Sequence, residues 1–111
     1  MNEKNELSMH LKQKTTDAIY PLILERKIEK FALEQLVFFL EESTRVLKND
    51  RFIDKEILQE IVSSSISIKA EAERVDSIFL KEIGNKLDKC LNLIIIGESI
   101  DDRKPGVPRI I

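Results

Sequence analysis

The chain has 111 residues, 42% of them apolar and 34% charged, which fits one globular domain large enough to bury a core without metals or disulfides. Its 18 basic and 20 acidic side chains leave a net charge of -2, and they are spread evenly, so bulk attraction to nucleic acid or to an anionic membrane is not expected. Cys90 is the only cysteine, which excludes an internal disulfide and points to a reducing cytoplasm. The polar opening MNEKNELSMH does not read as a signal peptide, and no apolar run approaches the length that spans a bilayer.

Of the three glycines and three prolines, four lie at or after Gly97, so the body is almost free of backbone breakers and favours helices. The first segment runs from about Glu3 to Arg26, with Leu7, Leu11, Ala18 and Leu22 on one face. Pro21 interrupts it, and a kink or a restart is expected there, with Thr15, Thr16 or Asp17 as cap and the residues before Thr15 frayed.

The second segment, from about Glu29 to Lys48, contains Leu36-Val37-Phe38-Phe39-Leu40. A run this apolar suits a central helix touched on several sides, with a short buried strand as the rival reading. Glu29, Lys30, Glu34, Glu41 and Glu42 favour the helix.

Asn49-Asp50-Arg51 is the clearest turn, because Asn and Asp bond their own backbone and tolerate left-handed geometry. Asp54 then has the chemistry of an N-cap, and Ile57, Leu58, Ile61 and Val62 form one helical face. Ser63-Ser64-Ser65 competes for backbone hydrogen bonds and marks an expected break. Beyond it, Ala72, Val75, Phe79, Ile83, Leu87, Cys90 or Leu91, and Ile94 recur at helical steps and predict one long last helix over about Ile68–Ile96. Gly84 lies inside it and would allow close helix approach, and Gly97 suits the left-handed residue that ends it. Leu93-Ile94-Ile95-Ile96 carries strand as its alternative.

The expected fold is therefore all-α: an antiparallel bundle of three to five helices over residues 1–97, with a long C-terminal helix. Residues 98–111 form a non-helical tail, since Pro105 and Pro108 forbid regular structure. That tail holds the candidate partner-binding residues Ile100, Arg103, Lys104, Pro105, Val107, Pro108, Arg109, Ile110 and Ile111, which are too apolar for a purely solvated end. Its Pro105-Gly106-Val107-Pro108 step matches a short polyproline docking pattern.

Catalytic chemistry finds little to work with. His10 is the only histidine, so a triad or a zinc cluster would have to use it, and it sits on a polar segment. Cys90 falls on the apolar stripe and reads as a small hydrophobe. Glu41 with Glu42, Glu71 with Glu73, and Asp101 with Asp102 lack the Glu-x-x-His partners of a di-metal bundle. Glycine-rich phosphate loops are missing, and Lys55, Glu56, Gln59 and Glu60 make a poor DNA-recognition set.

No catalytic residue, metal or cofactor is expected, nor a small-molecule ligand. The expected function is a non-enzymatic protein-binding module, most concretely an immunity or antitoxin-like protein or a regulatory adaptor. A structural or oligomerising protein of phage or mobile-element type and a small helical transcriptional regulator are the alternatives. Sixteen isoleucines and thirteen leucines exceed what one small bundle hides, so a homodimer is also expected.

Overall fold

The computed structural model describes residues 3–102, with side chains from Glu6 onward. Four helices make up nearly all of it: α1 (Glu3–Leu24), α2 (Lys30–Val46), α3 (Lys55–Val75) and α4 (Ile78–Ile96), followed by a short 3-10 turn at Ile100–Asp102. Among the described residues there is no strand, so Leu36–Leu40 and Leu93–Ile96 are both helical. The tail residues 103–111 lie outside the described part.

α1 continues through Pro21 rather than restarting. Leu7, Leu11, Ala18, Ile19 and Leu22 are all buried on its inner face. Burying several large aliphatic side chains, at roughly 1.5–3 kcal/mol each, outweighs a proline penalty of about 3 kcal/mol. The segment before Thr15 is therefore part of the helix. Thr15, Thr16 and Asp17 do not cap it. The two threonine hydroxyls donate back to the Lys12 carbonyl (2.9 and 2.8 Å), and Asp17 accepts from Gln13.

α3 likewise continues through Ser63–Ser65, with Ile57, Ile61, Ile68 and Ala72 sealed in the core. Ser65 stays in the helix because its hydroxyl has a partner on α4, the Asp88 carboxylate at 2.6 Å. Burial pushes the Asp88 carboxyl up, but the hydrogen bonds from Lys69 and Ser65 more than reverse this and hold it below the ordinary range.

The break falls at Asp76 instead, so the expected helix over 68–96 is two helices. Asp76 takes left-handed φ (52°), the Ser77 N–H donates to the Ala72 carbonyl (2.9 Å), and the Ser77 hydroxyl caps α4 by accepting from Leu80 N–H (3.1 Å). The two expected caps hold: Asp54 accepts from Glu56 N–H (2.9 Å), and Gly97 ends α4 at φ 78°. At buried Gly84 a Cβ would lie 2.8 Å from Lys69 Cγ, so glycine there leaves room for the Lys69 stem to lie against α4.

Each helix packs on two neighbours: α1 on α2 and α3, and α4 on α2 and α3. The paired residues give the directions. Lys12–Glu56, Thr15–Glu60 and Arg26–Glu71 rise together, so α1 and α3 run parallel. Lys30 over Phe79 and Thr44 against Ile100 show the same for α2 and α4. Ser65–Asp88 and Lys69–Gly84 run in opposite order, so α3 and α4 form an antiparallel hairpin, as do α1 and α2 across residues 25–29. Successive helices thus alternate in direction, and two hairpins lie side by side around one core.

Candidate functional site

This topology brings both tight turns to one end of the bundle. Residues 25–29 join α1 to α2, and residues 76–77 join α3 to α4. Arg26 links the turns: its Nη1 lies 2.7 Å from Glu71 Oε1, while Arg74 holds Glu71 through both carboxylate oxygens (2.8 and 2.6 Å). The hydrogen bonds from Arg74, helped by the Arg26 charge, keep the largely buried Glu71 carboxyl below its usual range against the effect of burial. Lys30 sits 5.4 Å over the Phe79 ring on the other side of the same end.

Around this charged knot the surface is apolar. Leu24, Phe31 and Ile78 are 75%, 74% and 72% exposed, and Ile23, Ile28 and Val75 are also exposed. The turns force this arrangement. α1 ends where Pro21 O accepts from Glu25 N–H (3.1 Å) and Lys27 N–H (3.0 Å), with Arg26 left-handed at φ 53°. The reversal leaves Leu24 and Ile28 off the bundle axis. Phe31 falls on the outer face of α2, one helical stripe from buried Leu33, Leu36 and Leu40. Phe38, seven residues on, is 58% exposed on that face, so the Leu36–Leu40 run is not covered all round as expected.

The charges at this end balance: residues 25–30 and 71–81 together carry five basic and five acidic side chains. Lys27 pairs with Glu29 (3.0 Å) and Lys81 with Asp76 (3.5 Å). The rim is thus largely satisfied internally, and the exposed apolar groups are its unmatched feature.

The expected tail site is reached only at its first residue. Ile100 is half-buried in the 3-10 turn, and its N–H donates to the Thr44 hydroxyl (2.9 Å). Arg103, Lys104, Pro105, Val107, Pro108, Arg109, Ile110 and Ile111 lie outside the described residues. Val46, Phe52, Ile95 and Ile96 are exposed at this second end, but the chain continues from there past Asp102.

His10 is exposed and meets the Phe39 ring edge-on at 6.4 Å between centroids. Cys90 is buried, and burial, with the Glu41 charge, pushes its thiol up to about 12, so it stays protonated at neutral pH. Among the described residues, no group of three or more His, Cys, Asp or Glu side chains is placed to hold a metal ion, and no helix is long and apolar enough to cross a membrane. The chain matches no protein-family model, no curated protein and no solved structure.

Reading the sequence alone misses the turn end. Asp76-Ser77 between apolar runs was the available signal, since a residue tolerant of left-handed geometry followed by a good N-cap is the chemistry of a helix–helix turn.

Proposed function

We propose that the chain is a non-enzymatic protein-binding module of immunity or antitoxin type, acting in the cytoplasm, that docks one partner protein against the turn end of the bundle. The observation that carries this reading is the exposure of Leu24, Phe31 and Ile78 together at that end. Each such side chain gains roughly 1.5–3 kcal/mol when fully withdrawn from water, and large apolar groups left in water mark a surface suited to a partner. The internally paired rim means the partner need not supply a strong opposite charge. The same balance favours a second reading, an oligomerising protein, because two like surfaces without net charge meet without repulsion.

The test is affinity capture from the native host with the wild-type chain and with a Leu24→Asp/Phe31→Asp double variant, alongside light scattering of the purified protein. A single stoichiometric partner held by the wild type and lost by the variant supports docking at this end. Equal capture by both overturns it. A 25.8 kDa-class species, twice the 12.9 kDa chain, that reverts to monomer in the variant selects the oligomer.

A further inference from the structure

A separate feature lies on the flank of the bundle. Between the parallel helices α1 and α3 a cleft encloses about 280 Å³. Each helix lines it with the same i, i+3, i+4, i+7 stripe: Lys12, Thr15, Thr16 and Ile19 face Glu60, Ser63, Ser64 and Ser67. Tyr20, a residue 60% exposed, completes the α1 wall. The cleft is thus walled by six hydroxyls, one ammonium and one carboxylate, over an isoleucine.

The hydroxyls differ in what they have left to offer. Thr15 has two acceptors in reach, the Lys12 carbonyl (2.9 Å) and Glu60 Oε2 (2.8 Å), and Thr16 donates to the Lys12 carbonyl, so both threonines keep only lone pairs for a ligand. The hydroxyls of Ser63, Ser64 and Ser67 have no protein hydrogen-bond partner among the described residues. Ser64 is the decisive one: the residue is 4% exposed, yet it lines the cleft. Its hydroxyl opens into the cleft rather than being sealed in protein, so a ligand group there can replace the water that it bonds.

We propose that this cleft binds a small neutral polyol of the monosaccharide class. Ligand hydroxyls both donate and accept, which matches a cleft where Thr15, Thr16 and Glu60 offer lone pairs while Lys12 and the three serines can donate. The opposite charges of Lys12 and Glu60 favour neither an anion nor a cation. Ile19 and Tyr20 offer an apolar surface to the C–H face of a sugar ring. The volume lies at the lower edge of the range for ligand sites, which limits the occupant to a single ring.

The experiment is an amide NMR titration of the full chain with D-glucose, D-galactose, D-mannose, D-ribose and myo-inositol. At least one probe should give saturable shifts confined to residues 12–20 and 60–67, with a dissociation constant near about 1 mM. Ser64→Ala should weaken that binding by up to about tenfold, the upper range for one neutral hydrogen bond, while the helical circular dichroism stays unchanged. The proposal is overturned if no probe saturates, if the shifts fall elsewhere, if Ser64→Ala binds as the wild type does, or if sodium acetate reproduces the shifts. None of these outcomes touches the docking role of the turn end.

Discussion

The two ends of the bundle are built from the same helices, yet their polar groups are arranged differently. At the far end, the C-terminal turns of α2 and α4 are joined by a polar lattice. Arg45 clasps Asp101 (2.8 and 3.0 Å), Lys48 reaches Asp102 (2.9 Å), Thr44 takes the Ile100 N–H, and the Asn49 N–H donates to the Gly97 carbonyl (3.0 Å). Asp101, through Arg45, and Asp102, through the Ser99 N–H and Lys48, are both held below the usual carboxylate range. At the turn end the polar groups gather into one knot around Glu71, and the large aliphatic groups are left in water. The far end leaves Phe52, Ile95 and Ile96 exposed as well, but the chain continues from there past Asp102. An end that exposes leucine and phenylalanine beside satisfied charges is suited to a further contact.

Substitutions can break that contrast. The largest effect is expected in the shared core, which both ends need. Leu40→Ala at a fully buried site should lower stability by about 2–5 kcal/mol, read from the urea midpoint at constant slope. A loss well under this range would mean that the two hairpins do not share one core.

Next comes the far end. Thr44 is fully buried, and its hydroxyl also donates to the Glu41 carbonyl (2.6 Å). Thr44→Val removes the acceptor of the Ile100 N–H and should cost about 1–3 kcal/mol, with faster hydrogen exchange at the Ile100 amide. Unchanged exchange at Ile100 would show that this bond does not fasten the turn.

At the turn end, Leu24→Ser should shift stability by no more than about 0.5 kcal/mol, as for an ordinary surface change. It should nonetheless weaken partner capture. A large drop in stability would mean that Leu24 belongs to the core, contrary to its exposure.

The smallest effect is electrostatic. Glu71, Asp88, Asp101 and Asp102 all have folded pKa values below their ordinary ones. Their contribution is complete above the unfolded carboxylate range, near pH 4, and fades as pH falls through the lower folded values. The melting temperature should therefore fall below about pH 4. All four are paired with basic side chains that are exposed, so added salt should shrink this fall. A melting temperature that rises on acidification would contradict these pairings.

The parts legible in the sequence were those decided by local chemistry. The Asp54 cap, the Gly97 terminator and the turn at Asn49 (φ 65°) follow from what each residue does to its own backbone. Pro21 and Ser63–Ser65 misled for the same reason. Their local penalties are real, but Leu11, Leu22, Ile61 and Ile68 are buried on either side of them, and that burial keeps each helix whole. The Asp76–Ser77 reversal was hidden because a two-residue linker leaves the apolar spacing of Ala72, Phe79, Ile83 and Leu87 in step, as one helix would. The turn-end surface was not legible at all. Phe31 and Leu36 look alike in composition, and only the packing of α2 against two neighbours decides that one is buried and the other is not.

The arrangement of the helices has a kinetic consequence. α1 finds α2, and α3 finds α4, across linkers of a few residues, while segment 47–54 alone ties one pair to the other. Contacts so near in sequence close small loops, which makes for rapid folding. They also make each pair one contiguous piece of the chain. Chains 1–50 and 51–111, produced separately, should find each other in solution and rebuild the helical signal of the whole, as two halves of a zip do without the stitch at its base.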